Sequence, residues 1–496
     1  MTEARPTSDR RPTPALHDGS AAAANLSKPP AGGRREFLKT SSLAAAGAAV
    51  MPYVWTAKSA LADESRSANN RPTLGCIATG DRWKAVGPQA MQFADCVAIC
   101  DVDAGHLTDW GERTVREQQG DQAGGNLKKY ERYQDLLDQD GIDVVTIVTP
   151  DHWHTKPVVD ALRAGKDIYC EKPLTLTIHE GKQIRKVLEE TGRVMQVGTQ
   201  QRTDFGRRFL EAVALVRQGR VGDVRKIVCC INGVGSSGEI PVADVPDGLN
   251  WDLWQGQAPE FDYRQKAGGS SNNRYPASRA HYEFRWWYEY SGGKMTDWGA
   301  HHVDIAQWAI MADGPTSVDP LMAEHDVDLE DGMPVQKDRY NVATKFDVKH
   351  TFGPTKYASQ GVEFHIVSDS PDGNGILFEG TEGRFHVSRG AMKGAPVEAL
   401  KDNPLPDGAL EEVYGGELPD SHMANFFDCV KSRETPISDV PSHHRAMTTC
   451  HLSNIAVRLG RRIEWDPQAE QIVGDEQAKS MQMREQRSGY EIDVEV

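Results

Sequence analysis

The chain has no uninterrupted apolar run of the roughly 18 residues that a membrane-spanning helix needs. It has no basic excess either: 56 lysines and arginines stand against 72 aspartates and glutamates, a net charge of −16, so nucleic acid and anionic membrane surfaces are disfavoured as partners. Its eight cysteines form no CxxC pair and no zinc-like spacing. Set in apolar strings such as CVAIC and KIVCC, they read as small core residues. No internal repeat is visible, and the first predicted strand-to-helix turn lacks the outer glycines of the G-x-G-x-x-G fingerprint. What remains, 496 residues with 39% hydrophobic and 26% charged, is an ordinary globular composition with room for two or three domains.

The first 62 residues read as an address. Arg34 and Arg35 are followed by Phe37, Leu38 and Lys39, then by a short apolar stretch, and Ala60-Leu61-Ala62 supplies a small-x-small cleavage site. That order matches a twin-arginine export signal. It predicts an exported, periplasmic protein whose mature form starts at Asp63, with the twin-arginine machinery as a partner.

From residue 73 the apolar runs are short, β-branched and continuous, as in strands buried on both faces of a parallel sheet. They fall at 74–79, 95–102, 144–149, 167–171 and 194–198, with helix-like stretches near 84–93, 103–119, 154–164 and 178–191 between them. The alternation predicts an α/β fold beginning with a doubly wound parallel sheet that binds ligands at the carboxyl ends of its strands. In the first turn, Gly80 holds the central position of the dinucleotide fingerprint, while Ala78 and Trp83 replace the outer glycines and Asp81 follows Gly80. Asp101 ends the second strand, where an acid can bond both ribose hydroxyls and would repel a 2′-phosphate, which favours NAD over NADP. An α/β domain that binds no nucleotide is the competing reading of this loop.

Three strings narrow the choice: Thr149-Pro150-Asp151-His152-Trp153-His154, Glu171-Lys172-Pro173-Leu174 and Asp297-Trp298-Gly299-Ala300-His301-His302-Val303-Asp304. In this order they resemble the Gfo/Idh/MocA family of NAD(P)-dependent oxidoreductases over residues 72–460. The resemblance implies that Thr149, Pro150 and His154 line the nicotinamide side of the pocket, with Glu171 and Lys172 at the next strand end, and that Asp297 and His301 form the acid/base pair. Lys172, read as held next to Glu171, can polarise the oxygen of the carbon that exchanges hydride. Asp297, His301 and Asp304 fall at i, i+4 and i+7 of one helix, so Asp297 can orient His301 as a general base, while His302 points away. An ordinary helix pair, or metal sites from Asp297, His301 and Asp304 or from His152 and His154, are the alternatives; no metal is expected.

Six of the eleven tryptophans lie between Trp251 and Trp308. Aromatics this dense beside a polar centre suit a sugar ring, and Arg285, Trp286, Trp287, Tyr288 and Tyr290 are candidate contacts, with a plain aromatic core as the alternative. Strands at 226–233, 341–352, 361–368, 375–380 and 383–388, with helices at 203–218 and 296–311, predict an α+β domain with an open, largely antiparallel sheet. The expected division is a leader to 62, a Rossmann NAD-binding domain at 63–198, an α+β substrate and dimerisation domain at 199–460, and a polar tail at 461–496. The expected activity is hydride transfer between tightly bound NAD and a sugar, glycoside or polyol, in a homo-oligomer. An NAD-dependent glycoside hydrolase and a non-catalytic sugar-binding protein are the alternatives.

Overall fold

The computed structural model describes residues 71–268 and 276–496; the twin-arginine motif and its cleavage site lie outside the described residues. Six strands form the first sheet: β1 (Thr73–Ile77), β2 (Asp95–Cys100), β3 (Lys128–Tyr130), β4 (Val144–Ile147), β5 (Asp167–Cys170) and β6 (Met195–Val197). All are parallel, in the order β3-β2-β1-β4-β5-β6. This is the doubly wound arrangement, with its switch point between β1 and β4. The five apolar runs supply five of these strands. The sixth, β3, is the short edge sequence KKY, too polar and exposed to carry an apolar signal.

Helices α1 (Trp83–Ala90), α2 (Thr155–Arg163) and α3 (Ile178–Thr191) cover the sheet. α3 starts at a capping box between Thr177 and Glu180 and stops at Gly192, whose φ of 60° is left-handed. Trp83, where close helix packing was expected to need glycine, is fully buried. The room comes from one turn further on, because a Cβ at Gly87 would lie 2.4 Å from the Trp83 ring.

The second sheet has nine strands: β7 (Val224–Cys230), β8 (Pro315–His325), β9 (Ala343–Phe352), β10 (Val362–Val367), β11 (Gly375–Gly380), β12 (Gly383–Val387), β13 (Met392–Lys393), β14 (Ile463–Asp466) and β15 (Gln471–Val473). Their order is β13-β12-β11-β7-β10-β9-β8-β14-β15, and only the β7–β10 pair is parallel. The largely antiparallel sheet is therefore as expected. Helices α4 (Arg208–Arg217), α5 (Gly299–Ile310) and α6 (Val440–Leu459) bury Val213, Val303 and Met447 in one core with Phe346, Phe364 and Ile366 of the sheet. Each such side chain contributes about 1.5–3 kcal/mol on leaving water.

Residues 461–496 are not a free tail. They supply β14 and β15, and the chain then returns to the first sheet, where Ile492 and Val494 join its core. Gln183 and Lys186 of α3 donate to the carbonyls of Val494 and Glu495. All eight cysteines are buried and free, as their apolar settings suggested.

Candidate active site

The carboxyl ends of β1, β2, β4 and β5 open into a cavity of about 590 Å³. A crevice here, at the switch point, is where doubly wound sheets bind nucleotides. Ala78, Gly80, Asp81, Asp101, Thr149, Pro150, Glu171 and Lys172 all line it, as expected of cofactor contacts. A Cβ at Gly80 would meet only the His106 ring, at 3.4 Å, so this backbone faces open space that a pyrophosphate could approach. Ala78 adopts φ 67°, the left-handed conformation that a glycine would take without strain. Asp101 accepts the Thr79 and Asp103 backbone N–H groups at 2.7 and 2.9 Å. Burial alone would raise its pKa, but His106 and these donors hold it below the usual carboxylate value.

His154 does not face the cavity. Its ring, 1% exposed, is wedged between the Pro173 and Thr149 carbonyls at 2.6 and 2.9 Å, and burial lowers its pKa to about 4. It ties the two catalytic strand ends together. His152 likewise donates to the Trp254 carbonyl at 2.9 Å and packs against Tyr290. These histidines are core residues, not a metal pair.

Lys172 leaves Glu171 and crosses to the second domain, where Nζ lies 2.6 Å from Asp297 Oδ1 and 3.1 Å from the Asp297 carbonyl. Glu171 turns instead to Arg82 (2.8 Å) and Gln200 (2.9 Å). Arg285 Nε sits 3.6 Å from the same Asp297 oxygen. Burial would raise the Asp297 pKa, yet the Lys172 and Arg285 cations hold it well below the usual carboxylate range. The helix expected to carry Asp297 and His301 together is interrupted at one residue: a helical turn, Lys294–Asp297, is followed by Trp298, which keeps right-handed helical dihedrals, and α5 begins at Gly299. Asp297 is engaged by Lys172 and Arg285 rather than by His301. Neither Asp297 nor His301 is in the cavity lining: Asp297 stands behind Lys172 and Arg285, and the His301 imidazole is buried, with Nδ1 unpartnered among the described residues. Burial first, then the Lys172 and Arg389 charges, push its pKa well below that of an ordinary histidine, so it stands neutral. Asp304 belongs to a different cluster, with both oxygens 2.7 Å from Arg202. No Asp297–His301–Asp304 metal set is assembled.

Of the expected sugar contacts, Arg285 lines the cavity, and Trp286, Trp287, Tyr288 and Tyr290 do not. Trp286 bonds Glu283, Trp287 bonds the Ser278 carbonyl, and both pack with Tyr288 and Tyr290 in an aromatic core behind the cavity wall. Trp254, Tyr282, Phe284 and Tyr490 stand in the wall instead. Tryptophan density located the aromatic region but could not separate its core from its lining. Two further features escaped sequence reasoning. Asp151 lines the cavity with its carboxyl buried, and Asp103, His106 and His281 gather polar atoms within 4.8 Å of one another, the one metal-capable group found among the described residues.

Comparisons with known proteins establish the family and the fold. Residues 80–199 match the oxidoreductase family with an NAD-binding Rossmann fold, and residues 231–492 match its C-terminal α/β domain. The α-N-acetylgalactosaminidase of Shewanella oneidensis is 28% identical over 213 residues, 38% of this chain and 44% of that protein, so the chain matches less than half the length of this relative. Two solved structures share the fold. One is the WlbA dehydrogenase of Bordetella pertussis in complex with NADH and UDP-GlcNAcA (TM-score 0.52, 17% identity, covering 80% of this chain and 99% of that one). The other is the aldose-aldose oxidoreductase of Caulobacter crescentus complexed with glycerol (TM-score 0.50, 17% identity, covering 80% and 100%). With both domains matched in sequence and fold, the chain belongs to the Gfo/Idh/MocA family of oxidoreductases.

Proposed function

We propose that this protein is an exported oxidoreductase that moves hydride between retained NAD and a carbinol carbon of a sugar, glycoside or polyol. The observation that carries the reading is the Lys172–Asp297 pair, joined across two domains at the wall of a cavity built on the strand ends of a nucleotide-type sheet. Bound NAD supplies the hydride acceptor. Gly80 and Asp81 stand where its phosphates would lie, and Asp101 where its adenosine ribose would lie. Lys172, fixed by Asp297, donates a hydrogen bond to the reacting oxygen and stabilises its developing charge. His301, neutral and with a free nitrogen, takes the hydroxyl proton. The cavity walls come from both domains, Tyr282, Phe284 and Tyr490 closing over the first, which supports a cofactor held through many turnovers.

The aldose-aldose oxidoreductase supports a cycle in which a second sugar restores the cofactor within the site. The Shewanella glycosidase supports a second reading: oxidation, loss of a neighbouring oxygen substituent, addition of water and return of the hydride, with no net redox change. The test is to denature the purified protein and assay released nicotinamide nucleotide, then to add aldoses and glycosides and follow cofactor reduction. Stoichiometric nucleotide, reduced by a sugar and not in Lys172→Met, is expected. A protein that neither carries nor binds the nucleotide overturns the proposal.

A further inference from the structure

Dehydrogenation of a carbinol releases one proton, and Lys172 and His301 suffice to handle it. The cavity lining, which includes Lys172 but not His301, holds a further proton-carrying group. Asp151 stands four residues beyond Ile147 on β4, and Lys172 two beyond Cys170 on β5; Ile147 and Cys170 are register partners, so the two side chains rise from adjacent points on one rim. Asp151 lines the same cavity and is 5% exposed. The Ser291 hydroxyl donates to its Oδ2 at 2.5 Å, just before the turn that carries Asp297.

We propose that Asp151 is the acid–base residue of an elimination, which makes the substrate a glycoside or another sugar with an oxygen substituent two carbons from the oxidised position. This rests on the hydride-transfer reading above and deepens it. Once the carbinol is a ketone, the carbon beside it is acidified. The Asp151 carboxylate takes the proton of that carbon, and the C–H electron pair becomes the new C=C bond. The next C–O bond breaks with its pair on oxygen, which receives the same proton from Asp151. Water adds by the reverse exchange, Asp151 accepting its proton and returning it to carbon. No second base and no outside oxidant are needed.

The electrostatics suit a shuttle. Burial raises the Asp151 pKa, Asp297 adds to the rise, and Ser291, Arg285 and Lys172 moderate it to about 7. A group that holds and releases its proton near neutrality is the efficient one for transfer in both directions.

The test uses the full protein with its cofactor, methyl and 4-nitrophenyl glycosides of glucose, galactose and N-acetylgalactosamine, and the corresponding free sugars. In Asp151→Asn, the ratio of glycoside cleavage to cofactor reduction is expected to fall by roughly 10²–10⁴. Reduced cofactor accumulates, and deuterium from D₂O no longer enters the carbon beside the oxidised one. Asp151→Glu restores part of the cleavage, and Ser291→Ala moves the pH profile of cleavage upward. Asp151→Asn that cleaves and exchanges normally, or that loses reduction and cleavage in equal measure, overturns the assignment. A wild-type protein that reduces its cofactor on free sugars but cleaves no glycoside overturns it too, leaving the oxidoreductase reading intact. Failure to reduce the cofactor on any of these compounds counts against both.

Discussion

Asp297 is the shared anion of Lys172 and Arg285, its Oδ1 lying 2.6 Å from the Lys172 ammonium and 3.6 Å from Arg285 Nε. Removing it leaves two nearly buried cations facing one another, whereas removing Lys172 leaves Asp297 with Arg285. Asp297→Asn is therefore expected to lower stability by about 3–5 kcal/mol, and Lys172→Met by less. The double variant should be more stable than the sum of the two losses predicts. Urea unfolding of the four proteins checks this, and simple additivity contradicts it.

Asp151 gives stability a pH slope. Its carboxyl keeps a proton up to about pH 7 in the folded chain and to about 4 in the unfolded one. Between these values the folded state binds more protons, so this contribution is complete below about pH 4 and lost as pH rises through 7. Asp151→Asn cannot titrate, and its stability relative to wild type should rise by a few kcal/mol between pH 5 and 8. Glu180, also raised by burial to about 7, slopes both proteins alike. A variant-minus-wild-type difference that is flat with pH contradicts the prediction.

Ala78 sits at φ 67° on the first turn. Ala78→Gly relieves a left-handed strain of about 1–2 kcal/mol and adds unfolded-chain freedom worth about 0.4–1 kcal/mol, a net gain of roughly 0.5–1 kcal/mol. A rise in urea midpoint at unchanged slope is the expected result.

Gly87 makes the space that Trp83 fills. Gly87→Ala should cost about 1–3 kcal/mol by overpacking and displace the start of α1, so that nucleotide is lost faster on dialysis. Gly125, with nothing within 4 Å of an added Cβ, is the control: Gly125→Ala should leave retention unchanged.

The parallel sheet was legible because its central strands are apolar on both faces. β3 and β8 were not: KKY is a polar edge, and β8 begins at Pro315 and runs outward through exposed Leu321 and Met322. The residues at the strand ends were found because their place follows from topology. Their partners were not. Nothing in the helical spacing of MTDWGAHH shows that Lys172, 125 residues earlier, claims Asp297, and nothing near Glu171 shows that Arg82, 89 residues earlier, claims its carboxylate. Nothing in the residue types of its motif distinguishes Asp151 from the histidines beside it, since all stand at the same strand end. Only burial against Ser291 sets it apart.

Tyr490 forms part of the cavity wall, packs on Trp153 at 5.8 Å between ring centroids and bonds Asp252 at 2.8 Å. It reaches that place on a segment that leaves the second sheet after β15 and passes through the exposed Met483. A single proteolytic nick near Met483 would therefore loosen one side of the enclosure while leaving every strand of both sheets in place, so limited digestion separates how firmly the cavity holds its contents from how stably the domains fold.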